Sequence, residues 1–451
     1  MPLRSPLVLA LFLILANLTS ARAQSGSPSI EFPELDAALR AAVVESVTAA
    51  IDSIYVLEQP AKEIVATLQG NLDSGRYDDV TDVQRFAQQL FEDCQAVNHD
   101  GHFGIRVLPP LDPESVEARR SATPEEIERQ EAARRARNYG FREVRILPGG
   151  VAYVRFDEFS WGPEAFETAT AIMNSVANAS AVIFDVRNNG GGSAAMIRHL
   201  TAYLFDESVH LVNWEIRAEN WTEQSHTPDW VPGRRIPDTP VYVLTSERTF
   251  SAAEEFSFNL RNLERATLVG QTTGGGGHTV AGYQFHFEGF RLEMRLPYGR
   301  AYFPPTGEGW EGKGVAPHVE VASEQALDTA YADALESLLE AAEHPAEKFP
   351  LEWALADVRS RTELIHVDDD RMRAVAGTYG PRIVTYEDGT LWYQRDGGAR
   401  HRLEPMGENL FRVGELDYFR LSFEFDDDGN AIGAVGNYDS GRVDGNARDG
   451  I

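Results

Sequence analysis

Hydrophobic residues recur three or four positions apart between residues 34 and 98. This spacing puts them on one helical face, so the pattern predicts amphipathic helices. Thr81 and Gln84 have the spacing of a capping box and are predicted to start the last of these helices. Cys94 falls on the apolar face, where it is interpreted as a small hydrophobe rather than a nucleophile. The apolar positions are Leu35, Leu39, Val43, Val47, Ile51 and Ile54, then Val83, Phe86, Leu90, Cys94 and Val97.

A different pattern begins near residue 144, where short apolar runs alternate with helical periodicity. Strands are predicted at 150–156, 181–186 and 241–245, and helices at 164–176, 194–205 and 252–263. Alternation of strand, loop and helix indicates a layered α/β core, with ligands at the C-terminal ends of the strands. Beyond residue 371, short aromatic-rich strands and turns at 387–389 and 427–430 predict a small all-β domain.

The resulting domain prediction has six parts. They are a signal peptide (1–23), a helical subdomain (24–110), a charged connector (111–143), an α/β core (144–342), a linker (343–370) and a C-terminal β domain (371–451). The charge run in the connector is interpreted as a solvated helix without a function of its own.

The N-terminus has the pattern of an export signal. Arg4 precedes an unbroken apolar run from Leu7 to Ala16, and residues 21–23 read Ala-Arg-Ala, the small-x-small form of a cleavage site. The alternative is an uncleaved N-terminal anchor, although the run is short for a bilayer span. We therefore expect a periplasmic or secreted protein, with no stable membrane span after cleavage.

Composition narrows the function classes. The 451 residues carry a net charge of −29, so nucleic acid is not expected as a partner. The single cysteine excludes a disulfide framework and a Cys-rich zinc site.

Ser251 is a candidate nucleophile because it follows the strand 241–245 and opens a helix. The alternative is a structural N-cap, since Glu254 lies three residues on and completes a capping box. Both roles are compatible, because helix N–H groups favour developing negative charge.

Two glycine-rich loops are candidate substrate contacts. Asp185-Val186-Arg187-Asn188-Asn189-Gly190-Gly191-Gly192 ends one strand, and Thr272-Thr273-Gly274-Gly275-Gly276-Gly277-His278 forms the second loop. Consecutive glycines let the backbone approach a ligand and direct N–H groups at it. The alternatives are a tight strand-to-helix turn and a flexible surface turn.

Candidate bases and acids lie in two further segments. His102 follows Asp100 in a loop after the last predicted helix, and Glu311 lies in a Gly-rich turn. The alternatives are an ordinary loop or core histidine and a surface carboxylate. A metal site formed by His99 and His102 has the least support of these interpretations, because no HExxH-type helix accompanies the pair.

Together and in this order, the motifs D-x-H, DxRxNGGG, TxSAAE, GxTTGGG and EGxGVxP resemble the tail-specific, or C-terminal-processing, serine peptidases. Their relatives include tricorn protease and the interphotoreceptor retinoid-binding protein modules. The resemblance covers roughly residues 34–335. It implies a crotonase/ClpP-like α/β core with Ser251 as nucleophile. It also implies an oxyanion hole from backbone N–H groups of Gly191 or Gly192 and of Ala252.

Two departures from that family pattern point to its histidine-using branch. The general-base Lys of tail-specific members is replaced by the string Gly275-Gly276-Gly277, and residues 106–144 are too short for a PDZ domain. By resemblance, His102 is then the base and Glu311 the supporting acid. The tricorn-type site has a Ser before its His, and here that position is Gly101, so Asp100 becomes a candidate support. His278 is a candidate substrate contact and an alternative base.

The leading hypothesis is an exported serine peptidase that cleaves peptides or proteins through an acyl-enzyme, with no metal and no cofactor. The first alternative is a non-catalytic binding module of the same fold for apolar ligands or peptides. A third hypothesis gives the main role to residues 371–451 as an interaction unit. Cleavage specificity and oligomeric state have no sequence signal.

Overall fold

The computed structural model describes residues 32–110, 123–362 and 365–450. The predicted signal peptide lies outside them. The helices are α1 (Ala37–Ile54), α2 (Glu58–Asp73), α3 (Val83–Val97), α4 (Pro124–Ala136), α5 (Pro163–Val176), α6 (Ala194–Ala202), α7 (Ala252–Asn262), α8 (Ala326–Ala341), α9 (Pro345–Thr362) and α10 (Asp369–Val375).

The strands fall into three sheets. Their bounds are β1 (Gly104–Leu108), β2 (Phe141–Leu147), β3 (Val151–Phe156), β4 (Ala181–Asp185), β5 (His210–Ile216), β6 (Trp221–His226), β7 (Val241–Thr245), β8 (Thr267–Gly270), β9 (His278–Phe287), β10 (Phe290–Tyr302), β11 (Val319–Glu320), β12 (Gly377–Tyr379), β13 (Arg382–Glu387), β14 (Thr390–Arg395), β15 (Arg400–Pro405), β16 (Leu410–Val413), β17 (Phe419–Phe425), β18 (Ala431–Tyr438) and β19 (Val443–Ala447). Short 3₁₀ turns occur at Asn138–Gly140, Pro148–Gly150 and Arg217–Glu219.

Helices α1 to α3 bury the apolar faces that their periodicity predicts. These faces share one core with the inward residues of the β9–β10 hairpin, among them Phe290, Leu292 and Met294. The predicted cap of α3 was wrong by one residue. Asp82, not Thr81, caps the helix and accepts from the N–H of Arg85. The Asp carboxylate is at least as good an N-cap acceptor as the Thr hydroxyl.

The central sheet has the order β11-β8-β7-β4-β3-β2, and all pairs are parallel except β2–β3. Its inner strands β3, β4, β7 and β8 are buried on both sides because helices cover both faces. Helices α5, α6 and α7 contribute to the core on one face, and α8 and α9 to the core on the other. Since β4 and β7 are parallel neighbours, the loops that follow Asp185 and Thr245 meet at one edge.

A second sheet joins the helical unit to the central layers. Its order is β1-β10-β5-β6, with β9 also paired to β10. The long strand β10 pairs with β1 through residues 291–295 and with β5 through residues 299–302. This pairing carries the loop before β1 towards the start of β9, so residues 100–102 approach His278.

The predicted linker 343–370 was wrong in its secondary structure. Most of it is the helix α9, whose Leu351, Leu355 and Val358 pack against the central sheet. Its other side contacts the C-terminal sheet, where Arg412 pairs with Asp357 and the Arg420 guanidinium donates to the carbonyl of Trp353. Pro345 is the first residue of α9, and Pro350 lies inside the helix.

The C-terminal strands β12 to β19 form one antiparallel meander in sequence order. The N–H of Asp449 donates to the carbonyl of Thr378, which ties the last segment back to the first strand. Within the part of the connector that is described, α4 has no buried residue, in agreement with its predicted solvated character. In the described ranges, no helix is both long enough and apolar enough to cross a bilayer.

Candidate active site

Ser251 stands at the junction between β7 and α7 in a strained backbone conformation. Its φ is 54° and its ψ is −119°, a region that costs a non-glycine residue about 1–3 kcal/mol. The capping box predicted for Ser251 and Glu254 is present, and the Glu254 carboxylate accepts from the Ser251 N–H at 2.8 Å. Strain at a polar residue on a sheet edge is typical of a functional position.

The glycine loop after β4 lies directly against the Ser251 turn. The N–H of Phe250 donates to the carbonyl of Asn189, and a Cβ on Gly191 would lie 2.9 Å from Cβ of Ser251. A Cβ on Gly192 would collide with the carbonyl oxygen of Phe159. The positive φ values of Gly191 and Gly192, 108° and 139°, also favour glycine at both positions.

Of the three predicted oxyanion donors, one is already used. The N–H of Gly191 donates to Oδ1 of Asn189 at 2.9 Å, so it is not free for a substrate in this conformation. Among the residues that the structure describes, the N–H groups of Gly192 and Ala252 donate to no protein acceptor. Gly192 and Ala252 line the same cavity as Ser251.

Glu254 connects the Ser251 turn to the second glycine loop. Besides the Ser251 N–H, its carboxylate accepts from the Thr273 hydroxyl and from the N–H groups of Gly275 and Gly276. Burial nevertheless raises the pKa of Glu254, because desolvation outweighs these hydrogen bonds. The sequence suggested only a helix cap here, but the residue also positions the loop over the site.

His102 is buried at the same edge of the molecule. Its ring stacks obliquely on Phe250 with centroids 4.9 Å apart, and its Nδ1 lies 3.9 Å from Oε2 of Glu311. This Nδ1 atom has no hydrogen-bond partner. His99, the other member of the alternative metal pair, is exposed, whereas His102 is buried.

Asp100 holds the loop that carries His102. Its Oδ1 accepts from the His102 N–H at 2.9 Å, and its Oδ2 accepts from the Tyr55 hydroxyl at 3.0 Å. Oδ2 also lies 2.7 Å from Nδ1 of His278. Burial alone would raise the pKa of Asp100, but the hydrogen bond and charge of His278 hold it below its ordinary value. Asp100 therefore supports the backbone of His102 rather than its ring.

Glu311 lies between the two imidazoles. Its Oε2 accepts from the N–H groups of Gly277 and His278, and it lies 3.6 Å from Nδ1 of His278. The turn around Glu311 is anchored by Trp310, whose indole N–H donates to the carbonyl of Gly276 at 3.0 Å. Glu311 is thus a half-buried site residue and not a surface carboxylate.

Several residues that organise this site carry no signal of that role in the sequence. Tyr55 belongs to the first helical unit, and Thr249 and Thr273 were noticed only as motif letters. Thr249 donates its hydroxyl hydrogen to the carbonyl of Val186, and Thr273 accepts from the N–H of Val315. For Thr273, its place beside the glycine string was the available signal.

A cavity of about 670 Å³ opens on these residues. Ser251, His102, Gly192 and His278 line it, together with aromatic and charged side chains. The aromatic residues are Trp214, Trp221, Tyr298 and Trp310, and the charged groups in its wall include Arg198, Glu223 and Glu255. The volume and mixed lining are typical of a small-ligand or side-chain binding site.

Comparison with known proteins identifies the family. A model of peptidase family S41 matches residues 150–321, and a model of the N-terminal domain of peptidase S41 in eukaryotic IRBP matches residues 30–144. The chain therefore belongs to peptidase family S41, as the motif order predicted.

Individual relatives are distant. A carboxyl-terminal-processing protease of Synechocystis sp. is 32% identical over 135 residues, which is 29% of each chain. The match thus spans less than a third of that relative's length. Mature CPAF is 14% identical over 71% of this chain and 98% of its own, with a TM-score of 0.47. The tricorn protease is 14% identical over 71% of this chain and 37% of its own, with a TM-score of 0.40.

Proposed function

We propose that this chain is an exported serine peptidase that hydrolyses peptide bonds through an acyl-enzyme. The observation that carries the proposal is the meeting of Ser251 and His102 in one cavity wall, with Glu311 beside the imidazole. The proposal includes a crotonase/ClpP-like core, no PDZ domain and no catalytic Lys. Its substrates are peptides or proteins.

The chemistry begins with a proton transfer. A Ser hydroxyl is a weak nucleophile until a base removes its proton. His102 takes that proton from Oγ of Ser251 while Oγ attacks the scissile carbonyl carbon. Because Nδ1 faces Glu311, Nε2 is the ring nitrogen left for the hydroxyl. Glu311 stabilises the imidazolium and keeps the ring oriented.

The tetrahedral intermediate carries its charge on the former carbonyl oxygen. The N–H groups of Gly192 and Ala252 are the proposed donors to this oxyanion, and one such donor contributes about 2.7–4 kcal/mol. Collapse of the intermediate breaks the C–N bond, and His102 returns the proton to the leaving amine. A water molecule, deprotonated by His102, then attacks the carbonyl carbon of the acyl-enzyme ester. The bond to Oγ of Ser251 breaks, and His102 returns the proton to Oγ.

The export part of the proposal rests on the N-terminal pattern alone. Cleavage after Ala23 leaves Gln24 as the first residue of the mature protein. Mass spectrometry of the protein recovered from the periplasm or medium tests this. A full-length N-terminus on a membrane-bound protein would favour the uncleaved anchor.

Labelling with a fluorophosphonate tests the nucleophile directly. We expect labelling of the wild-type protein at Ser251 and none in Ser251→Ala. A matched control is Ser257→Ala, which changes a buried hydroxyl of the same helix that donates only to the carbonyl of Ala253. Correctly folded wild-type protein without any label would refute the proposal, and a co-purified apolar ligand in that protein would favour the binding module.

His102→Gln and Glu311→Gln separate the base from its supporting acid. We expect His102→Gln to abolish peptide turnover and labelling, and Glu311→Gln to reduce kcat by about 10⁴-fold, the cost of losing the orienting acid in a Ser-His-Asp triad. Turnover by His102→Gln with an unchanged pH profile would show that another base, such as His278, acts in its place.

A further inference from the structure

Four potential metal ligands meet beside the candidate active site. Nδ1 of His278 lies 2.7 Å from Oδ2 of Asp100 and 3.6 Å from Oε2 of Glu311. Nδ1 of His102 lies 3.9 Å from the same Glu311 oxygen. The donor atoms of Asp100, His278 and Glu311 all fall within 4.8 Å of one another. Ligands of a tetrahedral zinc ion are about 3.3 Å apart, a separation that the three distances of 2.7, 3.6 and 3.9 Å bracket.

Two atoms in this cluster lack partners although they are buried. They are Nδ1 of His102 and Oε1 of Glu311. A buried polar atom without a partner costs about 1–3 kcal/mol, and one cation between the two would satisfy both. The ring of His102 is well shielded, since the residue is 5% exposed. The cluster therefore has ligand positions that the protein itself leaves open.

The charge of the cluster favours a cation as well. Asp100 and Glu311 both lie here, and across the described residues neither carboxylate forms an ion pair with a Lys or an Arg. Their only ion-pair partners are the two histidines. A donor set of two imidazoles and carboxylate oxygens favours zinc over magnesium and calcium.

The ligands are already oriented by a second set of hydrogen bonds. Tyr55 and the His102 N–H hold Asp100, and the N–H groups of Gly277 and His278 hold Glu311. Such outer contacts fix ligand direction in known metal sites. We propose that Asp100, His102, His278 and Glu311 form a zinc site that inhibits the peptidase.

The inhibition follows from the tautomer of His102 and rests on the proposed function. Zinc on Nδ1 uses the lone pair of that nitrogen, so the ring hydrogen must be on Nε2. An Nε2–H group is a donor and cannot accept the proton of Ser251. Zinc would also remove Glu311 from its role beside the imidazole. The metal therefore turns the base off without touching the nucleophile, and a chelator restores it.

Binding is tested on the full-length Ser251→Ala protein, which is inactive and cannot digest itself. Zinc chloride is titrated in competition with a chromophoric chelator after removal of metals. We expect one zinc per chain, with affinity reduced about 100-fold or more by His278→Gln, because one ligand is lost. The matched control is His286→Gln, an exposed histidine on the same strand, which should bind zinc like the parent.

Asp100→Asn and Glu311→Gln serve as second variants if His278→Gln fails to fold, as judged by circular dichroism. Zinc binding of equal strength in all the cluster variants, or no binding by the parent at micromolar zinc, would overturn the site. Magnesium and calcium chloride should bind at least about 100-fold more weakly, since both prefer oxygen ligands.

The activity of the wild-type enzyme tests the inhibitory role. We expect zinc to stop hydrolysis of a fluorogenic peptide, with a midpoint that matches the binding affinity, and EDTA to restore it. Binding to Ser251→Ala without inhibition of an active wild-type enzyme would overturn the inhibition. If wild-type protein binds zinc but hydrolyses no peptide, the metal site stands and the proposed peptidase function fails.

Discussion

We expect the protonation of Glu255 to dominate the pH dependence of stability in the α/β core, residues 144–342. It is wholly buried on α7, and its Oε1 has no hydrogen-bond partner. Burial raises its pKa from 4.5 to about 8, against the charge of Arg198, which acts in the opposite direction. The folded state therefore holds the Glu255 proton over a pH range in which the unfolded chain has lost it.

The sign of the effect follows from this difference. Below pH 4.5 Glu255 is protonated in both the folded and the unfolded state, so it causes no loss of stability. As the pH rises from 4.5 towards 8, Glu255 ionises in the unfolded state but stays protonated in the folded state. The free energy of unfolding therefore falls by up to about 1.4 kcal/mol per pH unit. Between pH 5 and pH 8 the loss amounts to about 3–4 kcal/mol, and it levels off above pH 8.

Glu255→Gln removes the titration while it keeps the shape of the side chain. The test is urea unfolding at pH 5, 6, 7 and 8, monitored by tryptophan fluorescence. We expect the variant to become progressively more stable than wild type as the pH rises. The matched control is Glu167→Gln, which makes the same change at an exposed helical glutamate on α5. Parallel pH curves for Glu255→Gln and wild type would refute the reasoning.

Three further predictions concern single residues. Gly192→Ala should abolish activity and lower stability, because its Cβ would collide with the carbonyl of Phe159; a fully active, normally folded variant would contradict the loop geometry. Tyr55→Phe should cost about 1–3 kcal/mol in urea unfolding and lower kcat, because Asp100 loses a buried donor; unchanged values for both would exclude this support. Cys94 should react with a thiol reagent only on unfolding, since burial raises its pKa; fast labelling of the native protein would contradict its buried position.

Much of the local structure was predictable from the sequence. The apolar spacing placed α1 and α3, the buried run 241–245 is strand β7, and Ser251 caps α7. These features depend on residues two to four positions apart, whose side chains share a face or a turn. The order of the motifs was enough to predict the family, because each motif is a short continuous string.

Contacts between distant segments were not predictable in the same way. Asp100 meets His278 because β1 and β9 both pair with β10, which brings together residues 178 positions apart. Strand pairing over long separations sets these neighbours, and no local spacing records it.

The sequence by itself determined which residues were able to carry the chemistry: one serine at a helix start, two glycine loops, and a few histidines and acids. Only the tertiary structure decided which of them lose water and which face one another. Glu255 and Glu254 are adjacent in the chain, yet one carboxylate has four donors around it and the other retains an unpaired oxygen. That difference arises because successive residues of a helix face different surroundings, and only packing defines what those surroundings are.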